Sequence, residues 1–300
     1  MTDRTWQPAI TRRQFLAASG VGAGAVLLGA CGGSDDTAAP TTTVALGDLA
    51  LAQFFGGPVF VPGQEARAPF GVADGDGLLP IDRTPPSLAI TLLGPDGNEI
   101  GAPIDVVRRS TGLPRAYFPL RFTVDEPGFY TARTELDGVA AEMAMQVNDP
   151  RDVVVIQPGT TLPALATPTT TDAQGVDPIC TADPICPLHE VTLAEALGEG
   201  RPIALLVSTP AFCKVAICGP VLDVLLAQVE AHPDVRFIHA EVYAHPGSDP
   251  ELQDYTEVVS ALGFHFEPSL VLAPRDGKVT ERLDDIYDET ELVEALSRLA

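Results

Sequence analysis

The apolar pattern changes once along the chain, near residue 190, from alternation at every second position to solid apolar runs interleaved with helical stripes. A period of two sends side chains to opposite faces of a strand, whereas positions three and four apart share one face of a helix. Before the change, Ser87–Leu93 runs into the turn Gly94-Pro95-Asp96-Gly97-Asn98. Tyr117–Thr123 and Tyr130–Thr134 flank Glu126-Pro127-Gly128, and Ala140–Val147 alternates through a further strand. Short strands separated by turn residues predict an all-β sandwich over residues 44–148. Residues 149–190, rich in Pro, Thr and Asp, read as a linker with one strand at Val153–Ile156.

After the change, Thr192 and Glu195 form a capping box that opens a short helix. Ile203–Val207 is apolar throughout, as a strand covered on both faces must be. Leu222, Leu225, Leu226 and Val229 make a helical stripe behind Pro220, and Val235–Val242 returns as a strand. A helix is expected from Asp249-Pro250 to Gly263. Ser269–Ala273 and Lys278–Leu283 then form a hairpin, and Asp288 with Glu291 caps a last helix carrying Leu292, Leu296 and Leu299. The order is βαβ, α, ββ, α.

This order resembles the thioredoxin core, and local details carry the resemblance. Cys213 stands between a buried strand and a helix, Pro220-Val221-Leu222-Asp223 resembles the proline-containing stretch of the active-site helix, and Glu267-Pro268-Ser269 resembles the cis-proline loop. The fold class is therefore an α/β thioredoxin-like C-terminal domain over residues 191–300, its first strand starting as early as residue 152, preceded by an all-β immunoglobulin-like sandwich. The sandwich resemblance rests on the Pro-Gly-Phe-Tyr step at residues 127–130. The sandwich contains no cysteine and no tryptophan, so the antibody-type core is absent.

The thioredoxin resemblance implies a thiol–disulfide exchange site with Cys213 as nucleophile, Cys218 as its resolving partner and Pro268 facing them. A helix N-terminus stabilises a thiolate through its unpaired N–H groups. The spacing departs from the family's Cys-x-x-Cys, because four residues separate Cys213 from Cys218. Residues five apart within a helix lie too far from each other for a disulfide, so Cys213 is expected before the first turn. The acidic residue that assists thioredoxins is missing from the strand before Cys213. No resident cofactor is implied beyond the redox-active cysteines, although copper-delivery proteins of the same fold suggest an alternative ligand set of Cys213, Cys218 and His265. His189, His232, His239 and His245 show no ligand spacing. Cys180 and Cys186 read as a local structural disulfide pinning the linker, with a second redox pair as the sharper alternative. Asp74-Gly75-Asp76-Gly77 lacks the remaining ligands of a calcium loop and reads as a solvated turn.

Near the N-terminus, Thr11-Arg12-Arg13-Gln14-Phe15-Leu16 precedes an apolar run too short for a comfortable membrane span. It resembles the twin-arginine export motif, and Leu28-Gly29-Ala30-Cys31 resembles the lipobox of bacterial lipoproteins. These resemblances imply a signal over residues 1–30, lipid on Cys31, a flexible tether over 31–43, and a protein anchored to the outer face of the plasma membrane. Four further cysteines in an exported chain suggest disulfides. The formal charge of −23 argues against a nucleic-acid partner. The expected partners are exported protein thiols and disulfides, together with an electron donor or acceptor. The rival expectation is a non-catalytic scaffold lipoprotein whose disulfides only stabilise it.

Overall fold

The computed structural model describes residues 49–246 and 254–299. The predicted signal, lipobox cysteine and tether fall outside them, as does Asp249; the helix expected from there to Gly263 begins only at Glu257, with residues 254–256 non-helical ahead of it. Residues 46–300 make one compact unit.

The first half holds two four-stranded sheets. One contains β1 (Ala50–Gln53), β2 (Ala66–Asp74), β3 (Gly77–Leu78) and β6 (Phe118–Phe122), with β2 as the shared neighbour. The other runs β5-β4-β7-β8, with β4 at Ser87–Leu93, β5 at Ile104–Val107, β7 at Gly128–Leu136 and β8 at Val139–Val147. β8 alternates intermediate or exposed positions with Ala141, Met143, Met145 and Val147, which are buried; that alternation is what made it readable. Tyr130 donates its hydroxyl hydrogen to the Glu126 carbonyl at 2.8 Å, fixing the corner that the Pro-Gly-Phe-Tyr step signalled. Asp74 and Gly77 pair across a two-residue hairpin, so the acidic Gly-rich step is a turn.

β2 was not foreseen. Its sequence, Ala-Arg-Ala-Pro-Phe-Gly-Val-Ala-Asp, carries a charge, a proline and a glycine at alternate positions, yet seven of its nine residues are buried. Phe70 stacks on Phe118 of β6 at 5.3 Å on one face. The opposite face carries Arg67, whose guanidinium reaches into the second half of the chain.

In that second half, β9 (Ile203–Ser208) is parallel to β10 (Arg236–Glu241) and antiparallel to β11 (Ser269–Ala273), which pairs in turn with β12 (Glu281–Asp284). The sheet order is β10-β9-β11-β12. Its helices are α1 (Leu193–Gly198), α2 (Cys218–Leu226), α3 (Glu257–Leu262) and α4 (Glu289–Ser297). The Thr192–Glu195 capping box forms as read, and the Asp288 side chain accepts the Glu291 N–H at the start of α4. α3 stops at Gly263, whose φ of +70° suits glycine; a Cβ there would lie 2.3 Å from the Val154 carbonyl oxygen.

That close approach also explains a correction. Val153–Ile156 is not a strand. A 3-10 turn at Pro150–Asp152 precedes it, and the Ile156 N–H bonds Leu262 O at the end of α3 rather than a neighbouring strand. The chain then runs beside the β11–β12 hairpin, where Gly159 N–H meets Val279 O and Leu162 N–H meets Gly277 O. Further on, Asp177 N–H bonds Ala244 O beyond β10, and His239 N–H bonds Leu188 O. The expected linker is thus stitched along the edge of the sheet, and this placement builds the site described next.

Candidate functional site

Two clusters of sulfur lie near the end of β9. The first is the predicted pair. Cys213 sits in the loop between β9 and α2, half-buried, and Cys218 is the first residue of α2, fully buried. Cys213 therefore precedes the helix, as its spacing from Cys218 required. The Cys218 thiol donates to the Cys213 sulfur, and backbone N–H groups of Ile217, Cys218 and Val215 add to it; against the opposing effect of burial, they bring the Cys213 thiol down to about 5. Cys218 is pushed far above the ordinary thiol range by burial, and then by donating to Cys213. One cysteine is held as thiolate and its neighbour as thiol.

The peptide bond before Pro268 is cis, as expected from Glu267-Pro268-Ser269. A groove of about 490 Å³ passes this loop. Lys214, Val215, Ile217, Phe266, Glu267 and His265 line one side, and Phe54, Phe55 and Arg115 of the sandwich line the other. Phe212 and Val215, on either side of Cys213, are both exposed.

Three acidic or phenolic groups around the pair were not identified in the sequence. Burial raises the Glu267 carboxyl, and the Cys213 charge raises it further. Asp285, half-buried beside the groove, is pushed well up by the loss of solvent and by Asp284. Tyr243 is raised to about 12 by burial and by the charge of Glu267. The signal for Glu267 was its position directly before the cis-proline.

The alternative copper set does not assemble. His265 Nε2 lies 3.1 Å from Gly56 O, and its ring meets Phe266 edge-on. Among the described residues, the one group of side chains placed to share a metal ion is a different set: Cys180, Cys186, His189 and His239, all buried, with ligand atoms within 4.8 Å of one another. Cys186 Sγ is 3.3 Å from His189 Nε2 and 3.3 Å from His239 Nδ1, and Cys180 Sγ is 3.7 Å from His239 Nδ1. Cys180 and Cys186 are free thiols rather than the expected disulfide, and so are Cys213 and Cys218.

The two histidines showed no ligand spacing because they are brought together by pairing, not by sequence proximity. Leu188 lies beside His239 at the open edge of β10, so His189 follows into the same space. The His239 ring is oriented by Ser208, whose Oγ lies 2.8 Å from Nε2, leaving Nδ1 turned toward both sulfurs. Burial lowers the His239 pKa, so the ring is neutral. Cys180 is held below the ordinary thiol range, chiefly by the Cys186 thiol that donates to it. Glu241, two residues beyond His239, accepts from the Thr181 N–H at 2.6 Å and the Thr181 hydroxyl at 2.8 Å. Thr181 Oγ1 in turn accepts from the Ala211 N–H, which ties the Cys180 segment to the Cys213 loop.

No family model and no curated protein matches the sequence. Among solved structures, the chain is similar to mitochondrial thioredoxin 3 from Saccharomyces cerevisiae, at 17% identity over 35% of this chain and 85% of that one, with a TM-score of 0.28. It is also similar to the PKD domain of the human VPS10 domain-containing receptor SorCS2, at 20% identity over 42% of this chain and 98% of that one, with a TM-score of 0.17. Scores this low do not establish a fold; the architecture stands on the strand order and pairing given above.

Proposed function

We propose that this chain is an envelope-anchored thiol–disulfide oxidoreductase acting on exported proteins, with Cys213 as nucleophile and Cys218 as resolving thiol. The observation that carries the reading is the unequal pair: a partly accessible Cys213 held near pKa 5 against a fully buried Cys218 held protonated. A structural disulfide needs no such asymmetry, whereas exchange requires one ready thiolate and one protected thiol.

In the forward direction, the Cys213 thiolate attacks one sulfur of a substrate disulfide. The substrate S–S bond breaks, a Cys213 mixed disulfide forms, and the released substrate thiolate takes a proton from solvent. Cys218 then loses its proton and attacks the Cys213 sulfur. The second substrate thiolate leaves, the substrate is reduced by two electrons, and Cys213–Cys218 becomes the disulfide. The reverse sequence oxidises a substrate dithiol. Glu267 is the acceptor for the Cys218 proton, since burial has raised its carboxyl toward the range useful for proton transfer. The groove beside Pro268, with apolar Phe54, Phe55 and Phe266 on its walls, takes the polypeptide around the reacting cysteine. In this reading the sandwich forms part of the substrate site. The resemblance of Arg12-Arg13 to an export motif and of Cys31 to a lipobox cysteine supports a site outside the plasma membrane, where disulfide chemistry operates.

Trapping tests this. Cys218→Ser is expected to accumulate mixed disulfides with exported proteins, resolvable by reductant, while Cys213→Ser traps none. If neither variant traps a partner, and the native Cys213 alkylates no faster than a free model thiol, the scaffold reading replaces this one.

A further inference from the structure

Cys180, Cys186, His189 and His239 belong to no step of that exchange, and they are fully buried. Two thiols and two imidazoles packed against one another in a dry interior are costly unless each polar atom is satisfied. The sulfur–nitrogen separations match a specific geometry. A tetrahedral ion with Zn–S of about 2.3 Å and Zn–N of about 2.0–2.1 Å sets its S···N edges at about 3.6 Å. The three separations here are 3.3, 3.3 and 3.7 Å.

We propose that these four side chains form a structural zinc site: a closed Cys2His2 centre that holds the segment from Cys180 to His189 against the edge of β10. Three features support the assignment beyond the ligand count. The Ser208 hydroxyl holds His239 Nε2, the outer-shell contact that fixes a ligating imidazole with its other nitrogen toward the ion. All four ligands are buried, which leaves no position open to solvent and marks the centre as structural rather than catalytic. Two thiolates with two neutral imidazoles neutralise a divalent cation, whereas a monovalent copper ion would leave a net negative charge buried beside Glu241.

The site also explains why Cys180 and Cys186 are unsuited to the disulfide read from the sequence. Oxidation would leave His189 Nε2 and His239 Nδ1 aimed at sulfurs with no thiol hydrogen and no cation to meet them. Through Thr181, which joins Glu241 to the Ala211 N–H, the centre also braces the start of the Cys213 loop.

The test is metal content and ligand spectroscopy on the full chain, purified without chelator. About one zinc per chain is expected, and cobalt(II) exchanged into the site is expected to show the intense visible bands of a tetrahedral thiolate centre. Cys186→Ser and His239→Ala should lose the metal to a mild chelator. Ser208→Ala removes only the outer-shell contact, and it should keep the stoichiometry with about 10–100-fold weaker affinity; it serves as the readout if the ligand variants do not fold. A chain that lacks zinc and shows a Cys180–Cys186 disulfide by non-reducing peptide mapping would overturn the proposal. So would binding of copper(I) without zinc, or cobalt bands unchanged in the Cys186→Ser chain. None of these outcomes depends on whether Cys213 exchanges disulfides, so the two readings stand or fall separately.

Discussion

Arg67 of β2 forks onto Glu291 of α4, Nε to Oε1 at 2.7 Å and Nη2 to Oε2 at 2.8 Å, with both side chains almost fully buried. The guanidinium also donates to the carbonyls of Asp284 and Ile286, and Tyr117 donates its hydroxyl to Glu291 Oε2 at 2.5 Å. Tyr117 oxygen then accepts from the Asp288 N–H at 2.9 Å. One ion pair thus joins the sandwich, the β12–α4 connection and the cap of the last helix.

Deleting Arg67 leaves the buried Glu291 carboxylate with the longer Arg121 contact at 3.1 Å and the Tyr117 hydroxyl as its remaining partners. Arg67→Ala is expected to lower stability by about 3–5 kcal/mol in urea unfolding. Despite burial, Arg67 holds the Glu291 carboxyl down at about 2. A depressed acid stabilises the fold above its unfolded pKa of about 4.3 and loses that contribution as pH falls through the folded value. The native chain should therefore lose this contribution between about pH 5 and pH 2, and the Arg67→Ala chain should not show the same loss.

Thiolate formation at Cys213 gives a second pH signature. Iodoacetamide labelling of the reduced chain should reach half its maximal rate near pH 5 and level off by pH 7, whereas a free thiol reaches half-rate near about pH 8.5. The folded pKa is the lower one, so the stabilising effect is complete above about pH 8.5 and lost as pH falls through 5. The Tm difference between the reduced native chain and Cys213→Ser should accordingly be widest near pH 9 and vanish by about pH 4. Labelling that follows the free-thiol curve would remove the helix-entry loop as an activating environment.

Glu267 separates attack from resolution. With Gln in its place, the groove keeps its shape and loses its proton acceptor. Glu267→Gln is expected to slow decay of the mixed disulfide by about 10²-fold while leaving Cys213 alkylation at pH 7 unchanged. Equal slowing of both steps would mean that Glu267 only positions the loop before Pro268.

Anchoring is tested at the other end of the chain. Cys31→Ser should release the protein from membranes and abolish palmitate labelling. Replacing both Arg12 and Arg13 by Lys should block export. Labelled, membrane-bound Cys31→Ser protein would end the lipobox reading.

Much of the second half was legible in the sequence because its signals are local. A capping box closes within four residues at Thr192, Asp288 and Glu291 mark the start of α4, and Gly263 ends α3 in the left-handed conformation that glycine favours. The continuous run at Ile203–Val207 could only be a strand covered on both faces, and the position of Cys213 ahead of a helix followed from its distance to Cys218. β2 escaped because packing on both faces cancels the alternation that reveals a half-buried strand. Arg67, Pro69 and Gly71 read as breakers, although Arg67 meets Asp284 at the end of β12 and Glu291 of α4, and Gly71 packs close to Phe54 and Leu78.

What the sequence determined by itself was the order of most elements of the second half, their caps and the place of Cys213 ahead of the helix that Cys218 opens, since each depends on neighbours a few residues away. Only the tertiary structure decided where distant polar groups converge. His189 and His239 meet because Leu188 takes a place along the open edge of β10, and Glu267 faces Cys213 because the loop before β11 folds across the end of β9. No periodicity records such meetings, because they depend on which sheet edge is left open and what packs against it.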